Sequence, residues 1–211
     1  MVLLQEKPET DIIDIAIEID TPATQHLYSL EEYYTLEENS DVRHEFCDGV
    51  IEEMTGGTIN HNRIIRNLVR ILDLAFQNTN REVFTSDLRL YIPECKKATY
   101  PDIMVIEGEV MLHNNRQDEV LNPCLIIEVL SPSTANYDRK DKFYYYRSIP
   151  TLKQYVLISQ SDYAIESYTK TGENKWLFEE TKGEDIEVNL DSIEVRFPIL
   201  NLYNDVNFSG K

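Results

Sequence analysis

Two acidic residues lie beside or within apolar runs of the sequence. Asp102 follows Pro101 and precedes IMVI, and Glu128 interrupts LIIEVL. Such runs are typical of strands covered on both faces, where an unpaired carboxylate is costly. If the two strands are neighbours, the carboxylates converge, and because they repel each other they need a cation between them. Mg²⁺ takes one or two protein carboxylates, and a bound Mg²⁺ activates water for phosphodiester cleavage.

The sequence alone also allows Glu128 a structural role. The strand could be half exposed, or the carboxylate could pair with a structural arginine. Paired acids also serve glycoside hydrolysis. No aromatic platform for a sugar ring is evident in the sequence, so this last chemistry is disfavoured.

A third group with chemical potential follows in DRKDKFYYYR. Asp138, Lys142 and Tyr146 are four residues apart and share one face of a helix. One interpretation is a surface Asp138–Lys142 pair with Tyr146 packing beside it. The other directs Lys142 at the carboxylates, where it would orient water or stabilise a charged transition state.

The patterns around these residues predict a mixed α/β arrangement of helices and strands. Ser29 and Glu32 form a capping box for a helix over 29–39, and Asp48-Gly49 indicates a hairpin. Apolar residues at helical spacing predict a long helix over 59–78 and a second one over 135–149. The predicted strands are REVFTS, LRLYIP, one strand over 99–108, PCLIIEVLS, KQYVLIS, DYAIESYTK and NKWLFEE. This order favours a mixed β-sheet flanked by α-helices.

The net charge of −18 argues against passive binding to nucleic acid, which needs a basic surface. The only basic stripe is formed by Arg63, Arg66 and Arg70 on the 59–78 helix. Such a stripe is usually a solvated face, but it is also the best candidate for contacting phosphates. Tyr144, Tyr145 and Tyr146 are more consistent with packing than with a base-stacking platform.

The cysteines and the apolar segments indicate a cytoplasmic protein. Cys47, Cys95 and Cys124 are far apart and predict buried free thiols rather than zinc ligands or disulfides. No run approaches the length of a membrane-spanning helix, and MVLLQEKPETD does not resemble a signal peptide.

Several of these segments together resemble a known family. YPDIMV and LIIEVLSPSTANYDRKDKFYYYRSIPTLKQYVLI are similar to the Uma-type family of restriction endonucleases, within the PD-(D/E)XK nuclease superfamily. The similarity extends to RHEFCDGVIEEM, TSDLRLYI and LNLYNDVNF, and it covers most of residues 28–208. It implies a restriction-endonuclease-like α/β core, with residues 26–211 as one domain. Residues 1–25 would be an acidic extension, either flexible or with a strand over 11–20.

The resemblance also implies roles for individual residues. Asp102 would be the aspartate of the PD motif, Glu128 the second metal-binding acid, and Mg²⁺ (or Mn²⁺) the cofactor. The superfamily's lysine usually stands two residues after the second acid, but Leu130 occupies that position here. Lys142 fits a lysine moved to the following helix, with Lys140 as its competitor. Glu45 would be the acid carried near the first helix and strand, unless it is only a surface charge of the hairpin.

Two weaker candidates complete the predicted site. His61 begins the long helix, where its side chain either caps the helix or reaches the site. Asp87 lies between two strands and either makes a turn or binds a metal.

Two functional hypotheses follow from the sequence. The first is a Mg²⁺-dependent endodeoxyribonuclease with DNA as substrate. The second is a catalytically inactive module that keeps the nuclease fold, which the negative charge favours. The resemblance also implies a homodimer, although no exposed apolar stripe is evident in the sequence. A basic rim around Asp102 would favour the nuclease, and an acidic rim the module.

Overall fold

The computed structural model describes residues 26–208. The predicted acidic extension, including the candidate strand over 11–20, lies outside the described residues. The helices are α1 Leu30–Asn39, α2 Ile59–Ala75, α3 Ala135–Tyr137, α4 Phe143–Tyr146 and α5 Ile199–Leu202, with a π-helical turn, Asp138–Lys142, between α3 and α4. The strands are β1 His44–Cys47, β2 Val50–Glu53, β3 Arg81–Thr85, β4 Arg89–Ile92, β5 Lys97–Thr99, β6 Ile103–Glu107, β7 Glu119–Val120, β8 Leu125–Leu130, β9 Gln154–Ser159, β10 Ala164–Gly172, β11 Lys175–Lys182, β12 Glu187–Leu190 and β13 Val195–Pro198.

Local sequence signals fix the first elements. The Ser29 side chain accepts a hydrogen bond from the backbone N–H of Glu32, and the Glu32 carboxylate accepts one from the Ser29 N–H. This capping box satisfies two backbone donors at the start of α1. Asp48 and Gly49 both have positive φ, at 45° and 97°, as a tight two-residue hairpin turn requires.

A six-stranded mixed sheet in the order β11-β10-β9-β8-β6-β3 forms the centre of the structure. β8 lies between antiparallel β6 and parallel β9, and all six of its residues are buried. Ile127 and Val129 pack in one core cluster with Ile64 and Leu68 of α2. Residues of alternate parity on β8 face the other side, where the continuous helix over 135–146 contributes Tyr146 to a second core cluster.

A second sheet, in the order β2-β1-β5-β4-β7, lies against the first, and a two-stranded sheet pairs β12 with β13. α1 covers one face of the five-stranded sheet, where Tyr33, Phe46 and Ala98 pack together. The opposite face carries Glu45 and Lys97, which hydrogen-bond toward the 135–146 helix.

The strand predicted over 99–108 is observed only as β6, Ile103–Glu107, because the chain passes from one sheet to another before it. Pro101 and Asp102 separate β5 from β6, and these two strands belong to different sheets. Proline has no N–H to donate to a strand ladder, which suits a crossing point between sheets. The consequence is that Asp102 lies where the two sheets meet.

The free thiols are less buried than expected. Cys124 is buried, but Cys47 and Cys95 are only half-buried. In residues 26–208, no helix has the length and apolarity needed to cross a membrane.

Candidate active site

The predicted acidic residues surround a cavity of about 330 Å³. Its floor comes from the crossing point before β6, from β8, and from the 135–146 helix. Its mouth is formed by residues 52–57 and by the turn before that helix. The polar and charged side chains at this cavity include those of Glu45, Glu52, Glu53, His61, Asp102, Glu128, Tyr137, Asp138 and Lys142, and Gly57 also lines it.

Asp102 and Glu128 come together because β6 and β8 are antiparallel neighbours with Ile103 opposite Ile127. The backbone N–H of Asp102 lies 3.3 Å from Oε2 of Glu128, and Oδ2 of Asp102 accepts a hydrogen bond of 2.7 Å from the N–H of Val129. Each carboxylate is therefore held by the strand that carries the other. The predicted convergence of the two acids is the observed arrangement.

Glu128 is only 3% exposed, and its partners show how a buried strand can carry a carboxylate. Oε1 accepts hydrogen bonds from Nζ of Lys142 at 2.9 Å and from the hydroxyl of Tyr146 at 2.7 Å. The alternatives of a half-exposed strand and of an arginine partner are both wrong. Burial raises the pKa of Glu128 to about 7, with Asp102 and Asp138 adding to the rise and Lys142 opposing it.

Lys142 is a buried ammonium surrounded by carboxylates. Besides Glu128, its Nζ lies 3.1 Å from Oδ1 of Asp138 and 4.0 Å from Oε1 of Glu45. Burial alone would lower its pKa, but the three carboxylates hold the pKa well above its ordinary value. The interpretation of Asp138 and Lys142 as a surface pair is wrong, since both are buried. Lys140, the competitor for the lysine role, is exposed.

Glu45 is tied to β5 rather than exposed on the hairpin. Its carboxylate accepts hydrogen bonds from Lys97 at 2.7 Å, Thr99 at 2.5 Å and Tyr137 at 3.0 Å. Burial would raise its pKa, but Lys142 and Lys97 outweigh burial and lower the pKa to about 2. The interpretation of Glu45 as a surface charge is therefore wrong.

Sequence reasoning missed three of these partners: Lys97, Thr99 and Tyr137. The only available signal was that Lys97 and Thr99 alternate with Ala98, so that both point to the same face of β5.

His61 both begins the helix and reaches the cavity. Its backbone N–H donates to the side chain of Thr58, which caps α2, and its Nε2 lies 3.0 Å from Oδ2 of Asp102. Burial lowers the pKa of His61, but the hydrogen bond and the charge of Asp102 outweigh burial, so the net pKa is raised. Nδ1 is buried without a hydrogen-bond partner, and Gly57 packs closely against it.

Four other candidates do not line the cavity. Asp87 is exposed in the turn between β3 and β4. Arg66 donates to Asp205 and Asn67 instead, and Arg63 and Arg70 are likewise absent from the lining. Contact of the arginine stripe with phosphates stays a prediction.

The lining is strongly acidic. It contains six carboxylates (Glu45, Glu52, Glu53, Asp102, Glu128 and Asp138) against one lysine and one histidine. Of the two rims that would separate the functional hypotheses, the lining matches the acidic one, so any polyanionic substrate meets a repelling surface unless cations bind first.

The fold and the paired acids define a restriction-endonuclease-like α/β domain. A crystal structure from Anabaena variabilis, described as "a putative nuclease belonging to DUF820", superposes with a TM-score of 0.68 over 84% of this chain and 98% of that one. At 18% identity this likeness concerns the fold.

Residues 30–199 match the model of the Uma2 family, described as "Putative restriction endonuclease", and the chain belongs to this family. Two relatives from Synechocystis are the uncharacterized proteins sll1609 and slr1290. The first is 41% identical over 82% of this chain and 98% of its own length. The second is 33% identical over 85% of this chain and 93% of its own length.

Proposed function

We propose that this protein is a divalent-metal-dependent endonuclease that hydrolyses DNA phosphodiester bonds in the cavity between the two sheets. The observation that carries the proposal is the pair Asp102 and Glu128, held together by adjacent strands with a buried lysine on the second acid. A purely structural role does not require two carboxylates and an ammonium at the floor of a cavity.

The charges of the site fit a divalent cation. With Glu45, Asp102, Glu128 and Asp138 all ionised, Lys97 and Lys142 protonated and His61 neutral, the balance is 2 − 4 = −2. Burial with this excess negative charge is why the pKa of Glu128 rises to about 7. In residues 26–208, no group of three or more acidic, histidine or cysteine side chains is arranged to hold a metal. Two carboxylates are nevertheless a common protein contribution to Mg²⁺, whose other ligands are water and substrate oxygens.

Asp102 and Glu128 would hold the ion, with Mn²⁺ as a substitute for Mg²⁺. When bound, the ion supplies water activation and neutralisation of phosphate charge. His61 and the N–H of Val129 fix Oδ2 of Asp102, which leaves Oδ1 available to a ligand. Tyr146 and Lys142 fix Oε1 of Glu128, and Oε2 lies 3.3 Å from the backbone N–H of Asp102.

Lys142 would act on the reacting phosphate or on the attacking water. Its ammonium is held charged by Glu128, Asp138 and Glu45, so it offers a fixed positive charge where negative charge develops in the transition state. Glu45 does not touch the acid pair; with Lys97 and Tyr137 it supports the position of Lys142.

The acidic lining favours a second candidate, a nuclease-fold module that binds a partner without cleavage. Six carboxylates against one lysine and one histidine oppose the approach of DNA. The two candidates differ in what metal does: in the nuclease, cations neutralise the lining and enable cutting.

The test is incubation of the purified protein with supercoiled plasmid and Mg²⁺ or Mn²⁺ at low salt. Nicking that EDTA abolishes and that is lost in Asp102→Ala supports the nuclease. Asp87→Ala is a matched control, because Asp87 is an exposed acid outside the cavity. Nicking that survives in Asp102→Ala assigns the activity to a contaminant, and its absence under all conditions favours the module.

A further inference from the structure

The free edge of the six-stranded sheet carries features that the nuclease site does not use. β11 is the last strand of this sheet, and its residues are exposed except for the half-buried Trp176. Leu177 is 49% exposed and Phe178 is 51% exposed. An edge strand presents a row of unpaired backbone N–H and C=O groups, which can template pairing with another strand.

β11 lacks most of the devices that usually protect an edge. It is eight residues long and contains no proline. The irregularity in its pairing with β10 lies between Lys170 and Gly172, near the hairpin turn, so the outer strand itself stays regular. Lysines stand only at its two ends, Lys175 and Lys182, and apolar residues follow the first of them at 176–178. A long regular edge with exposed apolar residues is a site where another strand adds.

We propose that β11 pairs antiparallel with β11 of a second copy of this chain, about a two-fold axis at Leu177. In such a pair, residues equally spaced before and after the axis lie opposite each other, and each contact occurs twice. The inference goes beyond the nuclease activity and does not depend on it.

The sequence of β11 is self-complementary in this register. Lys175 lies opposite Glu179 of the second copy, Trp176 lies opposite Phe178, and Leu177 lies opposite itself. Neither Lys175 nor Glu179 has an ion-pair partner in the part of the chain that the structure describes, so both charges are available. Opposite charges and aromatic pairs directly across two strands are stabilising.

Neighbouring registers are worse, which makes the pairing specific. With the axis at Phe178, Leu177 would face Glu179 and Trp176 would face Glu180. With the axis at Trp176, Lys175 would face Leu177, so a charge would lie opposite an apolar side chain. Only the axis at Leu177, of these three, matches apolar with apolar and acid with base.

The face that carries the aromatic pair is already an aromatic surface. The ring of Trp176 lies 5.5 Å from that of Phe143, and the ring of Phe178 lies 5.0 Å from that of Tyr168. Both rings are therefore positioned before a second copy arrives, so pairing costs little side-chain entropy. Across the two-fold axis they would extend into one continuous aromatic row.

Sedimentation velocity of the full chain over a range of concentrations tests the proposal. We expect a species of twice the 24.7 kDa chain mass. Lys175→Glu and Glu179→Lys should each weaken the dimer by roughly tenfold, because two attractive pairs become repulsive. The double variant Lys175→Glu/Glu179→Lys should restore dimerisation, and Lys182→Glu, a charge change outside the paired segment, should leave it unchanged.

A cysteine pair reports the register independently of charge. In Leu177→Cys, the two introduced side chains should form an intermolecular disulfide on mild oxidation, because residues directly opposite in an antiparallel pair are within disulfide distance. Thr181→Cys is the control on the same exposed strand and should not crosslink. The native thiols are the same in both variants.

Three outcomes would overturn the proposal. If the wild-type chain is monomeric at every concentration, β11 does not pair with a second copy. Its free edge would then bind a segment of the same chain or a different protein. If neither Lys175→Glu nor Glu179→Lys weakens dimerisation, the dimer forms through another surface. If the double variant dimerises no more tightly than the single variants, the register with its axis at Leu177 is excluded. Because the readout is mass, each outcome is distinguishable from a failure of the nuclease proposal.

Discussion

Nζ of Lys142 lies 2.9 Å from Oε1 of Glu128, although the two residues are fourteen positions apart and on different elements. The π-helical turn over Asp138–Lys142 and the following α4 direct both Lys142 and Tyr146 at the same carboxylate oxygen. The ammonium thus reaches the second acid from a helix rather than from the strand that carries the acid. This contact supplies the positive charge that Leu130, two residues after Glu128, cannot provide.

Lys142→Met should abolish most of the proposed activity and also destabilise the protein. Removing the ammonium leaves Glu128, Asp138 and Glu45 without a common partner, which should lower the free energy of unfolding by roughly 3 kcal/mol. Loss of a charge that acts in the transition state should reduce plasmid nicking by about a hundredfold or more. Urea unfolding and nicking rates, measured on the same preparation, separate the two effects.

The matched control is Lys140→Met, which changes an exposed lysine on the same helix. Stability and nicking should both stay near wild type. If Lys140→Met lost activity while Lys142→Met retained it, the assignment of the lysine would be reversed.

Gly57 should be required for metal binding and nicking, because it packs against the imidazole of His61. A Cβ added at Gly57 would lie 2.5 Å from Nδ1 of His61, so Gly57→Ala must displace the imidazole that holds Asp102. Displacing such a supporting partner costs roughly 10- to 100-fold in metal affinity or activity. Nicking measured against Mg²⁺ concentration should show a higher metal requirement.

Gly56→Ala provides the comparison, since a Cβ at Gly56 meets nothing within 4 Å. It should behave as wild type. Equal Mg²⁺ requirements for Gly57→Ala and wild type would show that the position of His61 does not matter to the site.

The sequence singled out Asp102, Glu128 and Lys142 as candidates, but the residues alone left structural alternatives open for Glu128 and Lys142, and the family resemblance decided between them. An acid within a buried apolar run has few possible roles, and the four-residue spacing of Asp138, Lys142 and Tyr146 survives the π-helical turn as a shared face. Both signals are local, because each depends on one element. The family match then confirmed the resemblance and the fold class.

Such local patterns could not predict the contacts between different helices and strands. The division of 99–108 into strands of two sheets depends on tertiary packing, and so does the burial of Glu45 against Lys97 and Tyr137. The helical spacing of Arg66 correctly placed it on an exposed face. The spacing could not reveal that the guanidinium of Arg66 would hydrogen-bond to Asp205, which is far away in the sequence.

Glu45 should make the stability of the protein depend on pH in acid. Its folded-state pKa of about 2 lies below the ordinary value of 4.5, so its stabilisation is present above pH 4.5 and is lost as the pH falls toward 2. The full difference corresponds to about 3 kcal/mol. The groups that face it are Lys97, Lys142, Tyr137 and Thr99, and the pKa of Lys142 is itself raised well above its ordinary value.

The measurement is urea unfolding of wild type and Glu45→Gln between pH 3 and pH 6. The gap between their unfolding free energies should be widest at pH 6 and should narrow as the pH falls. Glu52→Gln is the control, because Glu52 lies opposite Glu45 on the neighbouring strand but is exposed. If the difference in unfolding free energy between wild type and Glu45→Gln stays constant with pH, the stabilisation by Glu45 does not come from its ion pairs.

Divalent cations should stabilise the folded protein through Asp102. A ligand that binds only the folded state raises the free energy of unfolding by about 2.7 kcal/mol when its free concentration is a hundredfold above its Kd. Thermal unfolding with increasing Mg²⁺ should therefore show a rising midpoint for wild type. Asp102→Asn should lose most of this rise, because the amide removes one of the two carboxylates, whereas Asp87→Asn should keep it. A rise that is equal in Asp102→Asn and wild type would mean that Mg²⁺ binds elsewhere on this acidic surface, and the acid pair would then need a role that does not involve a metal.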